Sequence, residues 1–294
     1  MYTANSPSRK LFALCNYIFL GGVSLLCLLP IIHILAVSLS SSGAAAGGFV
    51  KLWPVEFTLS SYKFVLSKPE FLQSIGITLK RVLLGVSVNM LLTVLSAYPL
   101  SKETSAFRFR SFYAWFFIFT ILFNGGLIPW YMTIHTYGLL DSIWALILPG
   151  AVPVFNVVLL LNFFRGLPKE LHEAASIDGA KEWTVLWKIF VPLSLPGLAT
   201  IGLFATVSHW NTWFDGLILM NSPERYPLQS YLYTVVINRE LMLTIGTDLG
   251  ALAEVNERTS KAAQIFVGSL PILLVYPFLQ KYFMKGIVLG SVKG

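Results

Sequence analysis

Long apolar stretches separated by short polar ones run through almost the whole chain. Runs of about 18 or more apolar residues read as membrane spans. The pattern predicts six, at about 12–39, 74–101, 111–128, 143–164, 195–220 and 261–284. The first follows a polar start that carries Arg9 and Lys10, and it is kinked near Pro30. It is too long for the apolar region of a secretory signal, so it is expected to stay as an uncleaved span. The fourth is interrupted by Pro149 and Pro153, and the sixth carries Pro271 and Pro277. The alternating segments of ~10 residues that build a membrane β-barrel are absent. The expected fold class is therefore an all-α polytopic membrane protein, a single domain over 1–294.

The polar segments set the expected orientation. Basic residues gather at Arg9/Lys10, Lys102/Arg108/Arg110, Arg165/Lys169/Lys181/Lys188 and Lys281/Lys285/Lys293. Placing these in the cytoplasm satisfies the positive-inside bias and puts both termini there. The connection between the third and fourth runs has no Lys or Arg and carries Trp130, Tyr131 and Tyr137, the aromatic signature of an outer interface. The segments 40–73 and 221–258 then become external loops, the second with a helix-like stretch over 228–243. The net charge of +7 reflects this loop bias and calls for no nucleic-acid partner. Cys15 and Cys27 share one helical run, too far apart to bridge, and the four histidines are scattered without metal-ligand spacing.

One polar run differs from the others. Residues 165–192 are long, helix-prone and charged with both signs. Pro168 stands near a helix start, with Glu170 and Glu173 in the first turn, where negative charge suits the helix dipole. Gly179 fits a C-terminal stop, and Ala174 and Ala175 leave room for a surface to approach closely. By composition alone this also suits an ordinary amphipathic interfacial loop.

The spacing Glu173-Ala174-Ala175, three residues, Gly179, nine residues, then Ile189-Phe-Val191-Pro192 resembles the EAA signature of importer-type ABC transporter permeases. Val191 stands where that signature has Leu, a mild departure. Trp210-Asn211-x-Trp213-Phe214, Phe123-Asn-Gly-Gly-Leu-Ile-Pro129, the stretch Gly138 to Gly150 and the stretch Tyr276 to Gly294 are similar to the carbohydrate-type permeases. They match best a branch that handles oligosaccharides and polysaccharide fragments. The resemblance implies a type I importer architecture in the bacterial cytoplasmic (inner) membrane, as a transport subunit rather than an enzyme. It implies a second homologous permease subunit, two ATPase subunits and an extracytoplasmic solute-binding protein as partners. The loop would be a coupling helix seated on an ATPase subunit, with Glu173 and Asp178 pairing with basic residues there. The tail after Lys285 would reach the ATPase dimer as well. The chain has no Gly-x-x-x-x-Gly-Lys-Ser/Thr loop, so ATP and Mg would be held by the partner subunits.

Two groups of polar residues fall inside predicted spans. Arg81, Gly85, Asn89, Thr93 and Ala97 recur every fourth residue and share one helix face, with Lys80 beside them. Either Lys80 and Arg81 snorkel to the outer interface, or they line a path for an anionic substrate such as an alginate-like oligosaccharide. His209, Trp210, Asn211, Trp213 and Asp215 concentrate aromatic and hydrogen-bonding groups in the fifth span. Asn211 and Asp215 are i,i+4 neighbours on that span, as are His209 and Trp213. Aromatic faces stack on sugar rings and Asn or Asp holds hydroxyls; equally, such groups glue helices together by satisfying one another. A rival function, an ion-coupled secondary transporter, would turn on Asp215 as its titrating acid.

Overall fold

The computed structural model describes residues 7–237 and 258–274, and all regular structure among them is helical. The chain divides into two compact units: Met1–Phe71 with Thr234–Leu270, and Leu72–Tyr233 with Pro271–Gly294.

The first unit is led by α1 (Pro7–Ser38), a 32-residue helix that keeps Pro30 within it. At 1.5 Å per residue it is roughly 48 Å long, more than a bilayer core. Its outer residues, among them Phe12, Tyr17, Phe19 and Leu25, are exposed and apolar. A short loop then folds back beneath its end. Ser41 caps α2 (Ser42–Ala46), accepting from Ala44 N at 3.2 Å. Ser38 Oγ meets the Tyr62 hydroxyl of α3 (Ser60–Leu66) at 2.7 Å. Ala36, Val37, Ala44, Ala45 and Val50 pack with Ala262 of the helix at 258–274 to form this unit's core.

The second unit is built on α4 (Pro69–Ser101), 33 residues without a break, starting earlier than the apolar run suggests. The elements after it are broken. α5 (Arg110–Leu122) and α6 (Leu127–Thr136) meet at 116°, although the apolar pattern reads as one run to 128. The cause is local: Asn124 Oδ1 accepts from Gly126 N at 2.8 Å, and Gly126 adopts φ 86°, a conformation in which an L side chain would be strained. Two 3-10 turns, Ile143–Leu146 and Leu148–Gly150, lead at 50° into α7 (Val154–Arg165). Pro149 and Pro153 prevent one continuous α-helix there. The polar loop holds α8 (Glu170–Ile177) and α9 (Glu182–Val185). A π-turn at Leu186–Phe190 and α10 (Val191–Leu193) follow, then an 81° bend into α11 (Leu195–Asn211). The expected fifth span breaks again at Thr212–Trp213 before α12 (Phe214–Leu219). A 3-10 turn at Pro223–Arg225 precedes α13 (Leu228–Ile237).

Among the described residues two helices alone are long and apolar enough to cross a membrane, or up to five if each bent pair is one span. The expected sixth run, 261–284, is helical through 274; its remainder, the rest of 228–243 and the tail after Lys285 lie outside the described residues.

Core packing in the second unit joins α4, α7, α9 and α11 through Val94, Ala97, Tyr98, Leu160, Phe164, Val185, Phe190 and Ile201. Lipid tails are as apolar as these side chains, so close packing and internal hydrogen bonds hold such helices together rather than water exclusion. Small residues allow the approach. A Cβ on Gly85 would lie 2.5 Å from His209 Nε2, and one on Gly197 would lie 2.7 Å from the Phe163 ring.

Candidate functional site

A helix broken within a membrane frees backbone carbonyls that water cannot reach, so each must find a donor inside the protein. α4 supplies several. Its polar face, Arg81, Gly85, Asn89, Thr93 and Ala97, is buried along its whole length. Asn89 Nδ2 donates to Gly150 O at 2.8 Å and to Ala151 O at 2.9 Å, where the chain bends into α7. With both amide hydrogens used, Asn89 Oδ1 is an acceptor, so His209 Nε2, 2.8 Å away, must be the donor. Arg81 donates to Thr212 O at 3.3 Å, at the break between α11 and α12, and to Leu146 O at 3.4 Å. The same guanidinium pairs with both carboxylate oxygens of Asp215, one at 3.1 Å. Asp215 Oδ1 in turn accepts from Gly216 N at 2.8 Å, within the first turn of α12. A buried charge is tolerated when it is paired and hydrogen-bonded on this scale.

The break also exposes a notch. A cavity of about 320 Å³ is lined by Val207, Ser208, Asn211, Thr212, Trp213 and Phe214. Trp213 stacks on Tyr233 with ring centroids 4.2 Å apart and 14° between planes. Ser230 Oγ donates to Trp213 O at 2.6 Å, so α13 is tied to the chain at the break.

The residues singled out by sequence therefore divide. Arg81, Asn89, His209 and Asp215 come together as one internal network. Trp210 is buried, and Thr93 is buried with no hydroxyl partner among the described residues. Lys80, Asn211 and Trp213 stay open to the outside. Because α11 ends at Asn211, neither the Asn211–Asp215 nor the His209–Trp213 pair belongs to one continuous helix.

The polar loop forms the second site. α8 carries Glu170 and Glu173 in its first turn. It ends in a Schellman arrangement: Gly179, at φ 77°, donates to Ser176 O at 3.1 Å, and Ala180 N donates to Ala175 O at 2.9 Å. Ala175 is buried in the core, whereas Glu173, Ala174, Asp178 and Pro192 are exposed and Ile189 is half-buried. Ile177 is 86% exposed, and Trp183 and Trp187 are exposed beside it in the chain. A loop so anchored on one side and so apolar on the other has the character of a contact surface.

Behind this surface stands a residue that sequence reading passed over. Glu182, in the first turn of α9, accepts from the Tyr98 hydroxyl and lies 3.0 Å from His172 Nε2. Lys102 Nζ is 3.3 Å from its Oε2, an ion pair by distance without the angle of a hydrogen bond. Partial burial pushes the Glu182 carboxyl up, but Tyr98, His172 and Lys102 outweigh it and hold the group below the ordinary carboxylate range. Burial lowers the Lys102 ammonium, with Glu182 opposing. A lone Glu three residues after Gly179 has no spacing that marks it. Further out, Lys169 pairs with Glu103.

Comparison with known proteins follows the same lines. A family model described as the inner membrane component of binding-protein-dependent transport systems matches residues 71–288. Protein LplC of Bacillus subtilis (strain 168) is 42% identical over 290 residues, covering 99% of this chain and 97% of that protein. The polygalacturonan/rhamnogalacturonan transport system permease protein YtcP of the same organism is 39% identical over 97% of this chain and 99% of its own. Among solved structures, a bacterial ABC transporter involved in the import of the acidic polysaccharide alginate aligns with a TM-score of 0.86 at 34% identity. That alignment covers 95% of this chain and 99% of the other. The bacterial alginate ABC transporter in complex with an alginate pentasaccharide-bound periplasmic protein shares the fold, at a TM-score of 0.54 and 15% identity, over 92% and 93% of the two chains. With an EAA-type loop on an anchored helix and a polar core gathered around broken spans, the chain belongs to the multi-pass inner-membrane permeases of binding-protein-dependent ABC sugar importers, non-catalytic transport components of type I architecture.

Proposed function

We infer that this chain is one of two permease subunits in an importer for acidic oligosaccharides, with six spans and both termini in the cytoplasm. It works with a second, similar permease, two ATPase subunits that hold ATP and Mg, and an extracytoplasmic binding protein that delivers the sugar. α8 is the coupling helix. Glu173 and Asp178 offer carboxylates to basic groups of an ATPase subunit, Gly179 sets the end of the helix, and Ala174 lets the partner approach. Ile189 and Pro192 shape the return into α11.

The observation that carries this reading is the two-sided loop: Ala175 sits in the core while Ile177, 86% exposed, and Trp183 face outward beside acidic groups. The acidic substrate is supported by two relatives, one involved in the import of the acidic polysaccharide alginate and one named for polygalacturonan and rhamnogalacturonan. Of the two basic groups singled out on α4, Lys80 is the one left for an anionic sugar, because Arg81 is already neutralised by Asp215. Trp213 and Asn211 in the open notch supply a stacking face and hydroxyl ligands. An ion-coupled mechanism has less to work with, since Asp215, its required acid, is held by a guanidinium.

Uptake into proteoliposomes containing the whole complex tests this. Uptake of an alginate-derived oligosaccharide is expected to need ATP and to ignore an imposed proton gradient. Lys80→Gln is expected to slow the acidic sugar several-fold more than a neutral one of equal length. Gradient-driven uptake without ATP would refute the importer mechanism. An equal effect of Lys80→Gln on both sugars would refute the role given to that lysine.

A further inference from the structure

Transport requires that a movement of α8 reach the broken spans near Thr212 and Gly150. α4 lies against both places. Tyr98 and Lys102, at its cytoplasmic end and just past it, are bound to Glu182. Arg81 and Asn89, further along the same helix, cap the carbonyls at the breaks. From Tyr98 to Arg81 the helix runs without interruption, a length of roughly 25 Å at 1.5 Å per residue.

At the cytoplasmic end, beside the packing of Ala175 and the Lys169–Glu103 pair, one carboxylate joins these elements. Glu182 belongs to α9, His172 to α8, and Tyr98 to α4, so one side chain ties three elements. It rests on an aromatic floor. Tyr98 and Phe190 meet edge to face at 5.1 Å, and Lys102 Nζ lies 4.4 Å over the Tyr98 ring and 5.0 Å over Phe190. Glu182 itself is 62% exposed, and exposed ion pairs contribute little to stability, about 0–1 kcal/mol. What it does supply is geometry: it fixes where α8 stands relative to the end of α4.

We propose that Glu182 is a positioning residue of transport, fastening the coupling helix to α4 so that α4 carries a displacement of α8 to the breaks in the fourth and fifth spans. This rests on the reading of α8 as the element gripped by an ATPase subunit. Glu182 need not touch that subunit. It acts through Tyr98, Lys102 and His172.

The complete complex, reconstituted with its ATPase subunits and binding protein, provides the test. Sugar transported per ATP hydrolysed is measured for wild type, Glu182→Ala, Glu182→Gln and Tyr98→Phe. Glu182→Ala is expected to co-purify with the ATPase subunits as wild type does and to lower transport per ATP by at least about fivefold, the low end of typical coupling strengths. Glu182→Gln keeps an acceptor for Tyr98 and should fall between the two. Tyr98→Phe keeps the ring and removes one bond, so it should shift the ratio in the same direction by less, and it serves should the alanine variant assemble poorly. A merely structural role would lower yield and melting temperature while the surviving complex kept its normal ratio; that result overturns the proposal. Loss of the ATPase subunits from Glu182→Ala overturns it too, by making Glu182 a docking contact. Wild-type transport without ATP is a different failure, that of the underlying reading.

Discussion

The two polar centres of this protein are built from the same chemistry under opposite conditions. At the breaks in the spans, Arg81 and Asp215 pair with side chains 3% and 14% exposed. At the coupling loop, Glu182 gathers three partners while 62% exposed. In the buried centre every bond lost leaves a charge or a carbonyl without water, so the network is held as a unit. At the loop, the Glu182 carboxylate meets water directly, although Tyr98 and the Lys102 Nζ behind it are buried, so its bonds weigh less than those of the sealed pair. The contrast separates a centre sealed from water from a joint whose carboxylate faces it. A transporter needs both: rigid caps on its broken helices and a surface clasp that keeps α8 tied to α4 when an outside subunit pushes.

The sharpest way to break this contrast is to remove one half of the buried pair. Arg81→Ala strands Asp215 and leaves Thr212 O uncapped, and should cost about 3–5 kcal/mol. The double variant Arg81→Met with Asp215→Leu should recover the part of that loss due to the stranded carboxylate, because replacing a whole buried pair with apolar groups is close to neutral, while Thr212 O and Leu146 O stay uncapped. Thermal unfolding of purified protein checks both; equal losses in single and double variants would mean that the pair is not what holds the break.

A smaller effect is expected from Gly85→Ala, whose added Cβ would lie 2.5 Å from His209 Nε2. The imidazole must move, stretching its bond to Asn89, at about 1–3 kcal/mol for overpacking. An unchanged melting temperature would show that α11 has room to shift.

The smallest effect sharpens the other side. The Glu182 carboxyl is held below its ordinary range, so its contribution is complete above the unfolded carboxylate pKa and is lost as pH falls through the lower folded value. The groups facing it are Tyr98, Lys102 and His172. Acidification should therefore speed amide exchange in α8 and α9 before it affects α11, by under about 1 kcal/mol. Exchange that rises first around Thr212 would reverse the assignment of sealed and water-exposed regions.

Much of the site was legible in the chain, though not its wiring. The four-residue period of Arg81, Gly85, Asn89 and Thr93 announced a face, and that face is buried. Which groups it met was not readable: Asp215 lies 134 positions from Arg81 and Asn89 lies 120 from His209. The apolar run over 195–220 concealed its own break, because hydropathy records composition and not whether a carbonyl finds a donor. Glu182 escaped notice because one acid in a helical first turn looks like dipole chemistry alone.

The sequence by itself determined that the chain is built of apolar helices, the shared face of α4, and the loop helix α8 with its glycine stop at Gly179, since each depends on residue types a few positions apart. Only the tertiary structure decided that Arg81 caps Thr212 O and pairs with Asp215, that the fifth apolar run divides at Thr212, and that Glu182 joins three elements. The reason is range: helical periodicity acts over one or two turns, whereas the satisfaction of a buried charge or a freed carbonyl is settled by whatever the fold brings within about 3 Å of it.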